Sequence, residues 1–221
     1  MTMRGIRGYL LIAAMAVAAS TVTGCGIGAT GSAGASGAAA GAGAGTGDGA
    51  SRAYCTGKGG MLVDRVATWN TNADPAAQLP LAGHQTFCEF ESGHGDQTTR
   101  ISVDLVTLSS AQPTIAAVAY LSKIGPVVPP DPSRNPAIYN CNTGLGGAAA
   151  FGNTASGGGW LDARQPVFKV MIMCVFADGS AIDAFGIFYY ANDTVRGGDL
   201  APLFRYQPNG KLPAMFEGPR R

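Results

Sequence analysis

The sequence predicts an α+β protein: two repeated disulfide-containing units of short helix plus antiparallel strands, packed as one globular body. Three observations lead there. Beyond Cys25 the chain holds Cys55, Cys88, Cys141 and Cys174, and the members of each successive pair stand 33 positions apart. The surroundings recur, "YCTGKGG" against "YNCNTGLGG" and "TFCEF" against "IMCVF", as expected of an internal repeat. Between them, stretches of period-two alternation adjoin stretches of helical period.

The elements follow in order. "RISVDLVTL" alternates Ile101, Val103 and Leu105 with Ser102 and Asp104, which predicts a half-buried strand with the two polar residues outward. Ser110 is placed to cap a helix through "PTIAAVAYLSKI", where Ile115, Val118, Ala119 and Ser122 share one face. Asn135 caps a second short helix with Pro136 at its first position, running through "AIYNCN" to the glycines after Thr143. "VFKVMIMCVF" and "AIDAFGIFYY" read as consecutive strands turned at Asp178-Gly179. Asp199 is placed to cap a last short helix, "LAPLFRY".

The cysteines give the framework. Four in an exported chain favour disulfides, and the equal spacing pairs Cys55 with Cys88 and Cys141 with Cys174. Without a C-x-x-C pair, a four-thiolate zinc site and a dithiol redox site both lack their usual spacing, and no cofactor or metal is expected.

The start of the chain reads as an address. "MTMRGIRG" supplies two arginines, "YLLIAAMAVAAS" an uncharged apolar run, and small residues follow, the three-part layout of an export signal. The run is too short to span a bilayer, which takes about 20 apolar residues. Val22-Thr23-Gly24-Cys25 resembles the bacterial lipobox. That resemblance implies a lipoprotein signal peptide over 1–24, removed to leave a lipidated Cys25, and a partner in the membrane reached through that anchor. Plain secretion after Ala16-Val17-Ala18 is the alternative.

From 25 to 50 the chain is almost wholly Gly, Ala, Ser and Thr, too poor in apolar side chains to offset its ordering entropy, and is expected to be a flexible linker. As a coil it reaches about 25–30 Å. Gly26, Gly28 and Gly31 have the G-x-G-x-x-G spacing of a dinucleotide turn, but without the flanking strand and amphipathic helix that turn needs. The first repeat is assigned to 51–130 and the second to 131–221.

Charge excludes one class of partner. The 15 basic residues include Arg4 and Arg7 of the signal, leaving 13 against 14 acidic ones, and no patch suited to nucleic acid stands out.

"NPAIYNC…GG…CVFADGSAIDAF" resembles the bacterial domain of unknown function 333, which carries a hemolysin label. Asn135, Pro136, Ala137, Cys141, Gly146, Gly147, Cys174, Asp178, Gly179 and Asp183 carry the likeness, with Phe185 where that family has Trp. The first half keeps only Tyr54, Cys55, Gly59, Gly60 and Cys88 of it. The resemblance implies a disulfide-linked envelope module without an established activity.

The expected function is therefore a lipid-anchored, noncatalytic envelope protein that binds a protein or glycan partner or contributes structurally, its body on the extracytoplasmic side. Trp160, Asp162 and Arg164, in the glycine-rich "ASGGGWLDARQ", are the candidate ligand contacts, because aromatics on mobile loops often serve recognition. An extracellular hydrolase is the first alternative and would draw on His84, His94 and nearby Asp96, although no G-x-S-x-G elbow or H-E-x-x-H helix accompanies them. Paired carboxylates at Asp178 and Asp183 are a further candidate, set against Asp178 as turn chemistry and Asp183 as an outward strand position. A membrane-perturbing protein is the second alternative; the long basic amphipathic stretch it would use is not seen.

Overall fold

A computed structural model describes residues 47–149, 157–164 and 170–210. Cys25, the signal and the glycine triplet lie outside the described residues. Helix α1, Gly47–Gly57, opens the described chain. It starts inside the stretch assigned to the linker, and Asp48 and Arg52, one turn apart and 3.0 Å between charged atoms, are the first side chains to support it.

Strands β1 (Met61–Trp69), β2 (Leu79–Ser92) and β3 (Thr99–Asp104) follow as an antiparallel meander. Then come helices α2 (Leu105–Ser109), α3 (Ile115–Leu121) and α4 (Pro136–Tyr139), the last continuing as a π-turn over Asn140–Gly144. Strands β4 (Ala148–Ala149), β5 (Gly158–Asp162), β6 (Met173–Val175) and β7 (Ala181–Asp183) precede helix α5 (Ala184–Tyr190).

The seven strands of the described residues form one sheet in the order β4-β6-β7-β3-β2-β1-β5, with antiparallel neighbours. At its far edge Trp160 exchanges backbone hydrogen bonds with Met171, 2.8 and 2.9 Å, just two residues before β6 begins. The sheet is thereby curled, its last strand meeting the segment that leads into β6.

Each face has its own core. The outer face carries Cys88, Ile101, Val103 and Ile182 against α1, α2, α4 and α5, with both disulfides, Cys55–Cys88 and Cys141–Cys174, inside this main cluster. The inner face holds a smaller cluster of Phe87, Met173 and Ala181, with Trp160, Met171 and Val175 packed on it. This double coverage corrects one expectation: Ser102 and Asp104 are buried, not outward. Alternation along β3 separates two cores, not core from solvent.

Several boundaries differ from the sequence reading, and capping explains each. β3 stops at Asp104, whose carboxylate accepts from the N–H groups of Val106 and Thr107 and so starts α2. Thr114, not Ser110, caps α3 through a bond from Ala117 N; Ser110 closes α2 instead. The run "AIDAFGIFYY" does not continue as a strand beyond Asp183, whose side chain accepts from Phe185 N at 3.0 Å and turns the chain into α5. Asn135 does cap α4, accepting from Ala137 N and Ile138 N. Asp199 accepts from Ala201 N, but only a single turn follows it.

Two glycines sit on the disulfides. A Cβ at Gly60 would overlap Sγ of Cys88 and lie 3.0 Å from Sγ of Cys55. One at Gly147 would stand 2.6 Å from Sγ of Cys174 and 3.1 Å from Sγ of Cys141. Only glycine lets the backbone pass so close.

Candidate functional site

The inner face of the curl is not wholly apolar. Arg65, in the middle of β1, is fully buried there, and its guanidinium donates to Glu89 of β2 and to Trp160 O. Glu89, 2% exposed, also accepts from Ser102 Oγ of β3 at 2.9 Å. Arg100, two residues before Ser102, pairs with Glu91 and lies 3.6 Å from Glu89. Charges in this medium are tolerated because each is paired and hydrogen-bonded.

Asp183 joins this polar floor from β7. It is 3% exposed, and its N-cap role gives it bonds from the N–H groups of Phe185 and Gly186. Burial pushes its carboxyl up to about 7, against the downward pull of those two N–H groups and of Arg196 and Arg65. Arg196 reaches the same place after α5, its guanidinium 4.9 Å from the ring centre of Tyr189 and 6.0 Å from that of Phe185. The next residue, Gly197, has φ +75° and packs on the backbone of Phe90 and Arg100 so closely that any side chain would displace it. That contact fixes where Arg196 emerges.

These residues wall a cavity of about 410 Å³, lined by Arg65, Arg100, Asp183, Arg196 and Phe185 together with Thr98, Thr99, Val170, Met171 and Ile172. A second cavity, of about 480 Å³, shares Val170, Ile172 and Phe185 with the first and continues past Ile138, Asn135 and Arg134. The two adjoining cavities form a groove whose shared residues are apolar, with Arg65, Arg100 and Arg196 lining one part and Arg134 the other. Asn135 is positioned there by the α4 cap, and Phe185 by the α5 cap.

The candidate contacts from the sequence fall elsewhere. Trp160 and Asp162 are not on a loop: both belong to β5, opposite Ala67 and Arg65 of β1. The Trp160 ring packs edge-on against Phe87, 5.5 Å between centres, and its indole N–H is buried with no hydrogen-bond partner among the described residues. Asp162 accepts from Arg164 N and lines a separate, largely apolar pocket of about 270 Å³ with Val66, Pro75 and Pro80. Arg164 is exposed and donates to Leu62 O. None of the three lines the groove.

The hydrolase candidates are also dispersed. His84 is exposed on β2, and His94 is exposed just before the short 3₁₀ turn Gly95–Gln97 that contains Asp96. Asp178 and Asp183 do not act as a pair: Asp178 accepts from Ser180 and from Ile115 N at the start of α3, whereas the Asp183 carboxyl is buried at the groove. Asp183 is the correction that matters most, since the outward strand position expected of it is a buried helix cap. Among the described residues, no group of three His, Cys, Asp or Glu side chains gathers to hold a metal ion.

Sequence reasoning passed over Arg65, Arg100 and Arg196, and noted Phe185 only as the residue standing where the resembled family has Trp. One signal was available for the first: an arginine in "MLVDRVATW" that alternates in phase with Val63 and Ala67. Comparison of the chain with family models, curated proteins and solved structures finds no match.

Proposed function

We propose that this chain is an exported envelope protein, tethered to a membrane through lipidated Cys25, whose disulfide-braced body binds a ligand in the groove without transforming it. One observation carries the binding reading: two adjoining cavities share an apolar wall and end in polar groups that folding has already placed, the usual anatomy of a preformed ligand site. The two disulfides are consistent with an oxidising, extracytoplasmic setting. Among the described residues no helix is long and apolar enough to cross a membrane, which is compatible with a lipid as the attachment. His84 and His94 both stand outside the groove lining.

We infer further that the two halves of the sheet are copies of one unit. Equal disulfide spacing supports this, as do the glycine seated on each disulfide and the capping aspartate at the end of each third strand.

The test is native mass spectrometry of the full chain extracted from envelope membranes, beside a Val170→Trp variant that fills the groove at a residue 44% exposed. A small molecule retained by the wild type and lost from the variant supports the binding reading; equal retention by both sinks it. The mass of the N-terminal peptide reports acylation at Cys25.

A further inference from the structure

The charges around the first cavity are unequal in what they leave available. Glu89 is engaged by Arg65 and Ser102, and Glu91 by Arg100. Arg196, by contrast, lies against the rings of Phe185 and Tyr189, and among the described residues no carboxylate stands within ion-pair distance of it. Beside it Asp183 is a buried carboxyl that lines the cavity. On the other flank lie Val170, Ile172 and Phe185, leading into the second cavity.

We propose that this end of the groove is a carboxylate site, in which Arg196 holds the acid group of a ligand whose apolar body lies along Val170, Ile172 and Phe185. The proposal rests on the groove being a ligand site and specifies its chemistry. Guanidinium pairs with carboxylate through two parallel N–H donors, and a ring stacked behind it limits the orientations lost on binding.

Asp183 sets the condition for entry. Protonated, it donates its O–H to the incoming carboxylate; ionised, it places a second negative charge beside it. Arg65 from β1, Arg100 from β3 and Arg196 from the loop after α5 line the cavity with Asp183, Glu89 from β2 is held by Arg65 and Ser102, and β6 and α5 contribute Met173 and Phe185. Burial outweighs the guanidiniums and keeps the proton on until about pH 7. An ammonium ligand is the contrary fit, and it would have to settle among three guanidiniums whose two glutamate partners are already engaged.

Calorimetric titration of the full chain with octanoate, octylamine and octanol, at pH 6 and pH 8.5, decides the matter. Octanoate binds and the other two do not, and its affinity falls about thirtyfold between the two pH values as the protonated fraction falls. Asp183→Asn keeps the cap and removes the pH dependence. Arg196→Met weakens octanoate binding at least about tenfold at pH 6, with its melting temperature recorded to separate misfolding from lost pairing. Val170→Trp abolishes binding at an exposed position. Preference for octylamine, octanoate affinity unchanged in Arg196→Met or Val170→Trp, or no binding of any probe overturns the carboxylate site. A native ligand retained by the wild type but not by Val170→Trp would still uphold the groove, so the two failures are separable.

Discussion

The half of the sheet made by β1, β2 and β3 and the half made by β4, β6 and β7 agree around their disulfides and at the aspartates that end β3 and β7, and diverge in the rest of their strands. In the first, Leu62 stands opposite Cys88, and Cys88 opposite Val103; in the second, Ala149 stands opposite Cys174, and Cys174 opposite Ile182. Val103 and Ile182 then face each other across the middle of the sheet. Beyond this frame the strands differ greatly: β1 and β2 run nine and 14 residues, β4 and β6 two and three. The long strands carry Arg65, Glu89 and Glu91, while the short half supplies Asp183, Phe185 and Arg196. A constant covalent frame leaves the rest of each half free to differ, and the groove is composed where the two unlike parts meet.

The disulfides offer the largest test of that likeness. Each spans a separation of 33 residues, so the chain-entropy account assigns both the same stabilisation, about 4 kcal/mol. Replacing Cys55 and Cys88 with alanine, or Cys141 and Cys174, should therefore lower the urea midpoint by similar amounts with the slope unchanged. A gap of more than about 1.5 kcal/mol between the two double variants would show that the surroundings of each bond, and not its loop, determine its worth.

The capping aspartates should separate the halves more sharply. Asp104 accepts from Val106 N, Thr107 N, Thr107 Oγ1 and Ala181 N, so the amide introduced by Asp104→Asn would turn its own N–H toward donors. The expected loss for that substitution is about 1–3 kcal/mol. Among the described residues Asp183 accepts only from the N–H groups of Phe185 and Gly186 in its own first turn, and asparagine caps as well as aspartate. Its raised folded-state value means that its contribution to stability is full below the ordinary carboxylate value of 3.8 and is lost as pH rises through about 7. Thermal melts should show Asp183→Asn gaining on the wild type across that window and level above it. A constant difference from pH 4 to pH 8.5 would refute the buried, protonated carboxyl.

What the sequence disclosed follows the same division. The disulfide frame was legible because equal spacing and repeated glycines are local, countable signals, and Asn135 with Pro136 announced α4 in the same way. The switch from strand to helix at Asp104 and at Asp183 was hidden. In "RISVDLVTL" and "AIDAFGIFYY" the apolar residues continue through the junction, and only the aspartate marks it. The groove was hidden more deeply. Arg65, Arg100, Asp183 and Arg196 converge only through the order of β1, β3 and β7 in a curled sheet, and no spacing along the chain encodes that order. Trp160 drew attention through its glycine neighbours, yet pairing with β1 turned those residues into a strand and the indole into packing for Phe87.

The smallest expected effect concerns the one residue by which the two disulfide turns differ. Lys58 N donates to Tyr54 O, four residues back, and Gly60 N to Cys55 O. In the other half Leu145 N donates to Asn140 O, five residues back, and Gly147 N to Cys141 O. The π-turn thus absorbs a single additional residue while returning Gly147 to its disulfide, as such bulges do within helices. Thr143 is exposed there, whereas Asn142 is tied through its side chain to Ala149 N at 2.7 Å. Deleting Thr143 should convert the five-residue bond to the ordinary four-residue one and change the urea midpoint by less than about 1 kcal/mol, with Cys141 and Cys174 still joined in nonreducing peptide maps. If the deletion instead prevents that bond from forming, the turn around Cys141 is not a lengthened form of the one around Cys55, and the likeness between the halves stops at the strands.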